Sequence, residues 1–164
     1  MLPPVDRLES LPHPYRRALR QVFAREGFGT STIELADSIA SNASGMVRLP
    51  IVRNDLGRRP EPAFQLALLF SFAGALARSR VDALLGGDLT DELLAAGILA
   101  ATDGDITCPF RMVPGPGYWL LCDDRIDHVD SVMPPGPTTA MLSEIMPRDF
   151  GGSMLDVGCG PGTH

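Results

Sequence analysis

The stretch "AFQLALLFSFAGALA" at residues 63–77 carries only Gln65 and Ser71 as polar side chains. A run this apolar has to be covered, which limits what the chain can become. It is short for a bilayer-crossing helix, which takes about 20 apolar residues. Its apolar positions go all the way round a helical wheel, so "EPAFQLALLFSFAGALARS" predicts one helix buried on most sides. A chain of 164 residues, 45% of them apolar, has enough material for one ordinary domain or two small ones.

Two helices are expected before this run. In "LPHPYRRALRQVFAREGFG", Pro14 suits a first helical turn, Leu19, Val22 and Phe23 form one apolar stripe, and Gly27 suits a stop. Arg16, Arg17, Arg20 and Arg25 fall mostly off that stripe. In "STIELADSIA", Ser31 or Thr32 is the expected N-cap, with Ile33, Leu35, Ala36 and Ile39 on the core side. The next segment is rich in Gly, Pro, Ser and Asn and reads as loop, with "MVRLPIV" as a short strand.

After the apolar run come "RVDALLGG" and "LTDELLAAGIL". In the second, Thr90 is the expected cap, Asp91 and Glu92 suit the positive end of the helix, and Gly97 suits its end. Two strand-like runs flank Asp103-Gly104, a hairpin signal, and "GYWLLCDD" at 117–124 reads as a further strand. Three helices and then a hairpin is the order of a winged-helix module.

Such modules often read DNA, but the helix that would enter the groove offers Asp91 and Glu92 and no Arg. Groove contact needs donors facing base edges and cations facing phosphate. The formal charge of −6, with 14 Arg and no Lys, likewise argues against broad nucleic-acid or acidic-membrane binding. A docking, dimerising or substrate-facing role is expected instead, with a homodimer left open. Cys108, Cys122 and Cys159 form no C-x-x-C pair, and His13, His128 and His164 lie far apart, so neither a disulfide framework nor a metal site is expected. The start "MLPPVDRLES" lacks a signal-peptide core, and the expected location is cytoplasmic.

Asp123, Asp124, Asp127, His128 and Asp130 make a carboxylate-rich stretch with no calcium-loop spacing, read as solvated linker. "MPPGPTT" is a stiff turn, and Thr138 or Thr139 can cap the short helix "TAMLSEIM". The segment "SMLDVGCGPG" follows. Met154, Leu155 and Val157 suit a buried parallel strand, with Asp156 near its carboxyl end. Gly158, Gly160 and Gly162 then allow a tight turn whose main-chain N–H groups can approach a ligand closely. Ligands of open α/β sheets bind at that end of the strands.

Leu-Asp-Val-Gly-Cys-Gly-Pro-Gly resembles motif I of class I S-adenosylmethionine-dependent methyltransferases. It differs from the dinucleotide fingerprint, which spaces its glycines as G-x-G-x-x-G. The resemblance implies S-adenosyl-L-methionine as cofactor, with the backbone at Gly158, Gly160 and Gly162 against its methionine part and Asp156 ordering the loop and holding its amino group. The layout upstream is similar to the group that includes release-factor glutamine methyltransferases, where a Pro-rich turn and a Thr-capped helix precede motif I. That makes Thr138 and Thr139 weaker site candidates.

The expected fold class is mainly α with a small β hairpin, a winged-helix-like accessory domain, followed by the first strand of an incomplete α/β Rossmann-like domain. The expected divisions are a helical segment at 1–58, the winged-helix-like module at 59–125, a linker and short helix at 126–150, and the strand and glycine loop at 151–164. About ten residues follow the start of that strand, whereas a crossover unit takes about 30. The chain is therefore expected to be an N-terminal piece, not competent for catalysis alone. No catalytic residue can be named, and the methyl acceptor stays open among protein, RNA and small molecule. The alternative is a winged-helix-like dimerisation or adaptor protein without catalysis.

Overall fold

The structure, a computed structural model, describes residues 7, 9–43, 47–115, 118–123, 136 and 141. Among them the chain is mainly helical, with two small antiparallel sheets. The element order is α1 (His13–Glu26), α2 (Thr30–Ser38), α3 (Arg48–Arg58), α4 (Pro62–Phe70), β1 (Ala75–Ala77), α5 (Arg78–Leu85), α6 (Gly87–Ala95), β2 (Ala100–Thr102), β3 (Asp105–Thr107), β4 (Phe110–Gly115) and β5 (Tyr118–Asp123).

Helix α1 follows its sequence signals closely. Pro14 sits in the first turn, where its missing N–H costs nothing, and Leu19, Val22 and Phe23 are buried. Gly27 turns left-handed at φ 71°, and the Phe28 N–H reaches back to the Phe23 carbonyl at 2.9 Å. The Phe28 ring lands edge-on against Phe23, centroids 4.8 Å apart, so main-chain closure and apolar contact end the helix together.

In α2, neither Ser31 nor Thr32 caps. The helix starts at Thr30 after Gly29 without a side-chain cap, and the Thr32 hydroxyl donates to the Gly27 carbonyl instead. Ala36 is buried and Ile33 and Ile39 pack on the core, but Leu35 is 53% exposed. It lies 100° round the helix from Ala36, on the side away from Ile33. The strand expected at "MVRLPIV" is corrected: Arg48–Val52 open helix α3. Pro50 falls in the first turn, where a helix tolerates proline, and Val52 and Leu56 form a buried i, i+4 pair.

Helix α4 is the apolar run, and Gln65 through Phe70 are all buried. It is shorter than expected, stopping at Phe70 where Ala73 (φ 48°) and Gly74 turn the chain into β1. The Leu68 side chain occupies the space over Gly74, and a Cβ there would sit 2.2 Å from Leu68 Cδ1 and 3.2 Å from its carbonyl oxygen. Helix α6 begins four residues earlier than the Thr90 cap predicts, with Gly86 in the N-cap position. Thr90 lies inside it, fully buried, donating to the Gly86 carbonyl at 2.9 Å, and Asp88 is the acid of the first turn. Gly97, at φ 69°, ends it as expected.

The hairpin stands where Asp103-Gly104 put it. Thr102 pairs with Asp105, and the two loop residues take φ 53° and 90°, as a two-residue type I′ turn demands. Strand β1 adds to the other side of β3, with Leu76 opposite Ile106, giving the order β1-β3-β2. Strands β4 and β5 form a separate ribbon. One continuous core runs from Leu11 to Leu121, so the segments 1–58 and 59–125 share it. Its aromatic centre joins α1, α4 and β5: Phe23 meets Phe70 at 5.2 Å, and Trp119 stacks on Phe28 at 4.7 Å. The assignments at 126–150 and 151–164 lie outside the described residues, except Gly136 and Met141.

Gly74→Ala should lower stability by about 1–3 kcal/mol through overpacking against Leu68. Ala73→Gly, which relieves a left-handed non-glycine residue, should change it by less than about 1 kcal/mol. Denaturant midpoints of the two variants check the contrast.

Candidate functional site

Asp156, Gly158, Gly160 and Gly162 lie outside the described residues, as do Thr138, Thr139, Cys159 and the acidic positions 124–130. The structure does describe the helix and hairpin that a groove-reading module would use.

At the start of α5, the Arg78 guanidinium donates to both carboxylate oxygens of Asp82, at 2.8 and 2.9 Å, and to Asp91 on α6 at 2.7 Å. These hydrogen bonds, Asp91 first and then Asp82, raise the Arg78 pKa above its ordinary value. One cation thus serves two carboxylates and ties α5 to α6. The sequence shows the Arg78–Asp82 spacing of i, i+4, but the longer reach to Asp91 depends on how the two helices turn at Gly86.

The clasp leaves the surroundings anionic. Asp88, Asp103 and Asp105 are exposed and Glu92 half-buried along α6 and the hairpin. Carboxylates placed there repel phosphate. They can instead accept from a cationic or hydrogen-bond-donating partner.

Of the described cysteines, Cys108 is buried with its thiol toward the Ile98 carbonyl at 3.4 Å, and Cys122 is buried opposite Arg111 in the β4–β5 ribbon. Burial pushes the Cys122 thiol up to about 11, opposed by the Arg111 charge and assisted by Asp123. A thiol that keeps its proton at neutral pH is a packing group, not a nucleophile. Among the described residues no group of three or more His, Cys, Asp or Glu could hold a metal ion, and no helix is long and apolar enough to cross a membrane.

A second set of residues was not legible in the sequence at all. Arg7, Arg25, Arg48, Arg53, Arg80 and Arg111 each donate to a main-chain carbonyl of another part of the chain: Gly97, Leu84, Asp37, Phe72, Pro60 and Ser71 respectively. Several of these carbonyls stand at or just past helix ends, where the ladder leaves acceptors over. No local spacing announces such pairs, because the partners are up to 90 residues apart. No family model, curated protein or solved structure matches the chain.

Arg78→Met should lower the urea midpoint only slightly, since the clasp is open to solvent, and added salt should shrink the difference from the parent protein. For Cys122, the unfolded thiol ionises near pH 9 while the folded one holds its proton to about 11. Unfolding therefore releases a proton in that window, and stability falls as pH rises through it. Cys122→Ala should lose about 1 kcal/mol less than the parent between pH 7.5 and pH 10, read from urea midpoints at the two pH values.

Proposed function

We propose that the protein is a class I S-adenosylmethionine-dependent methyltransferase whose cofactor loop is "LDVGCGPG" at 155–162 and whose described helices and hairpin are a winged-helix-like accessory module. The observation that carries the reading is the order of that segment: an apolar run, an acid, then glycines at every second position. Its donor set suits the amino-acid end of the cofactor. The Asp156 carboxylate complements an ammonium group, and the amides around Gly158, Gly160 and Gly162 complement a carboxylate, with no side chains at the glycines to keep the ligand away. When bound, the cofactor supplies an activated methyl group, and the protein's task is to align the acceptor with it.

For the accessory module, support comes from the order α4, β1, α5, α6, β2, β3 and from β1 joining β3 at the edge of the hairpin. A helix–strand–helix–helix–hairpin sequence with that pairing is what a winged helix requires. The acidic α6 face favours a docking or substrate-facing role for it over groove reading. A non-catalytic adaptor or dimerising protein is the competing reading. It is favoured by Leu35, Val47 and Ile51, which are 53%, 62% and 41% exposed on α2 and at the start of α3.

Calorimetric titration of S-adenosylmethionine into the native gene product separates the two. The methyltransferase reading predicts saturable binding that Asp156→Ala weakens about 10- to 100-fold, the worth of one charge-assisted hydrogen bond. Absence of saturable binding, or an Asp156→Ala variant that binds as tightly as the parent, rejects it and leaves the adaptor.

A further inference from the structure

The β4–β5 ribbon has two edges, and they are finished differently. Gly115 pairs with Tyr118 across two intervening residues, so this closing pair exchanges main-chain hydrogen bonds. The alternation of an antiparallel ladder then gives the next bonded pairs as Val113–Leu120 and Arg111–Cys122. The main-chain groups of Met112 and Pro114 on β4, and of Trp119 and Leu121 on β5, therefore point away from the ribbon. On β4 that edge is accounted for. The Ser71 hydroxyl donates to the Met112 carbonyl at 2.8 Å, and Pro114 has no N–H to satisfy. On β5 it is not: among the described residues, no main-chain group of another element bonds to the main chain of Trp119 or Leu121.

The side chains give β5 the character of an inner strand. Leu120, Leu121 and Cys122 are consecutive and all buried, so both faces of the strand are covered. Edges left to water are blunted by shortness, by lysine or by proline. Strands β1 and β2 have three residues each and β4 carries Pro114, whereas β5 runs for six residues, "YWLLCD", with no cation and no proline. Main-chain groups in such surroundings need partners. We infer that the edge of β5 is a docking surface for β5 of a second copy of this chain, paired antiparallel about a two-fold axis between the two Leu120 residues.

The strand is complementary to itself in this register. Trp119 stands opposite Leu121 of the partner subunit and exchanges both main-chain bonds with it, and the axis repeats the pair, so every outward N–H and C=O of Trp119 and Leu121 is used. Leu120 meets its own copy, and Tyr118 faces Cys122 of the partner subunit. No charged side chain enters these pairs, because Asp123 lies beyond the paired span. Tyr118 and Trp119, half-buried in one chain, gain cover from the second. The product is a four-stranded sheet with β4 on each outer side, where the edge is already finished. The residues that follow β5 suit its edge poorly: 124–137 contain Asp124, Asp127, Asp130, Pro134, Pro135 and Pro137, residue types that strands avoid. A strand of unrelated sequence would have to match the apolar pattern of both faces, which a second copy does by symmetry.

The test uses the full chain without S-adenosylmethionine, and its outcome is independent of the proposed function, since an enzyme and an adaptor can both be dimers. Sedimentation equilibrium should show a dimer that dissociates on dilution. Amide hydrogen exchange then locates the contact. Leu120 and Cys122, bonded to β4, should be protected at every dilution. Trp119 and Leu121 should exchange about tenfold more slowly once about 90% of the chain is dimeric, because they exchange only from the dissociated fraction. Leu120→Lys and Leu120→Glu each place like charges across the axis and should weaken the dimer at least about tenfold, whereas an equimolar mixture of the two should restore it. Circular dichroism checks the fold of each variant. Where a variant fails to fold, exchange in the parent decides; where the parent dimer survives every dilution, the charge pair decides. A chain that stays monomeric overturns the inference. So does a dimer in which Trp119 and Leu121 exchange as freely as in the monomer, protection of these two amides within the monomer, or a dimer indifferent to both Leu120 variants.

Discussion

Everything described in this fold depends on burying helix α4 from Gln65 to its end. Gln65 through Phe70 are inside, so the end of the helix is closed to water. The main chain there still carries carbonyl groups that need donors, and an unsatisfied one costs about 1–3 kcal/mol. The supply comes from three directions. The turn after Phe70 folds the Ser71, Phe72 and Gly74 amides back onto Ala67 and Leu68. Arg53 on α3 donates to the Phe72 carbonyl, and Arg111 on β4 to that of Ser71. The Ser71 hydroxyl returns a bond to Met112 on β4 at 2.8 Å. Covering the apolar run and finishing its hydrogen bonds are done by the same neighbours.

The pattern extends through the molecule. None of the described helices has a side-chain N-cap. Much of their termination is done from a distance. Gln65 donates to the Leu56 and Arg59 carbonyls at the end of α3, and Arg25 to that of Leu84 at the end of α5. Arginine suits this work because its guanidinium carries five donors on a long stem and stays charged while its stem lies on apolar surface. A chain whose cations are all arginine can therefore bind its elements by side chain to main chain contacts.

Where a structural rule is local, the sequence displays it. The Gly27 stop of α1, the Asp103-Gly104 turn and the strand at 118–123 are set by residues at the spot. Where the rule is tertiary, the sequence misleads. "MVRLPIV" alternates like a strand, but burial of Val52 and Leu56 against α4 outweighs its local preference and makes it the start of α3. Thr90 looks like a cap and is an interior residue, because the left-handed Gly86 at φ 88° already starts α6. The long apolar helix is cut at Phe70 because β1 is needed beside β3. Of the candidate site, the acid–glycine segment is a sequence signal only, whereas the Arg78 clasp needs the fold to bring its members together.

On the proposed function, a cofactor loop is joined to an accessory module that the buried part of α4 anchors, with cations exposed on α1 and carboxylates on α6. That module can act as a positioning device only if its centre holds as one unit, which native-state hydrogen exchange measures residue by residue. The amides of Leu66 through Phe70 should open only with global unfolding, and Arg111→Met should lower their protection by the same free energy as it lowers the global stability. Exchange of these amides through local opening, faster than in α2 or insensitive to loss of Arg111, would contradict the account.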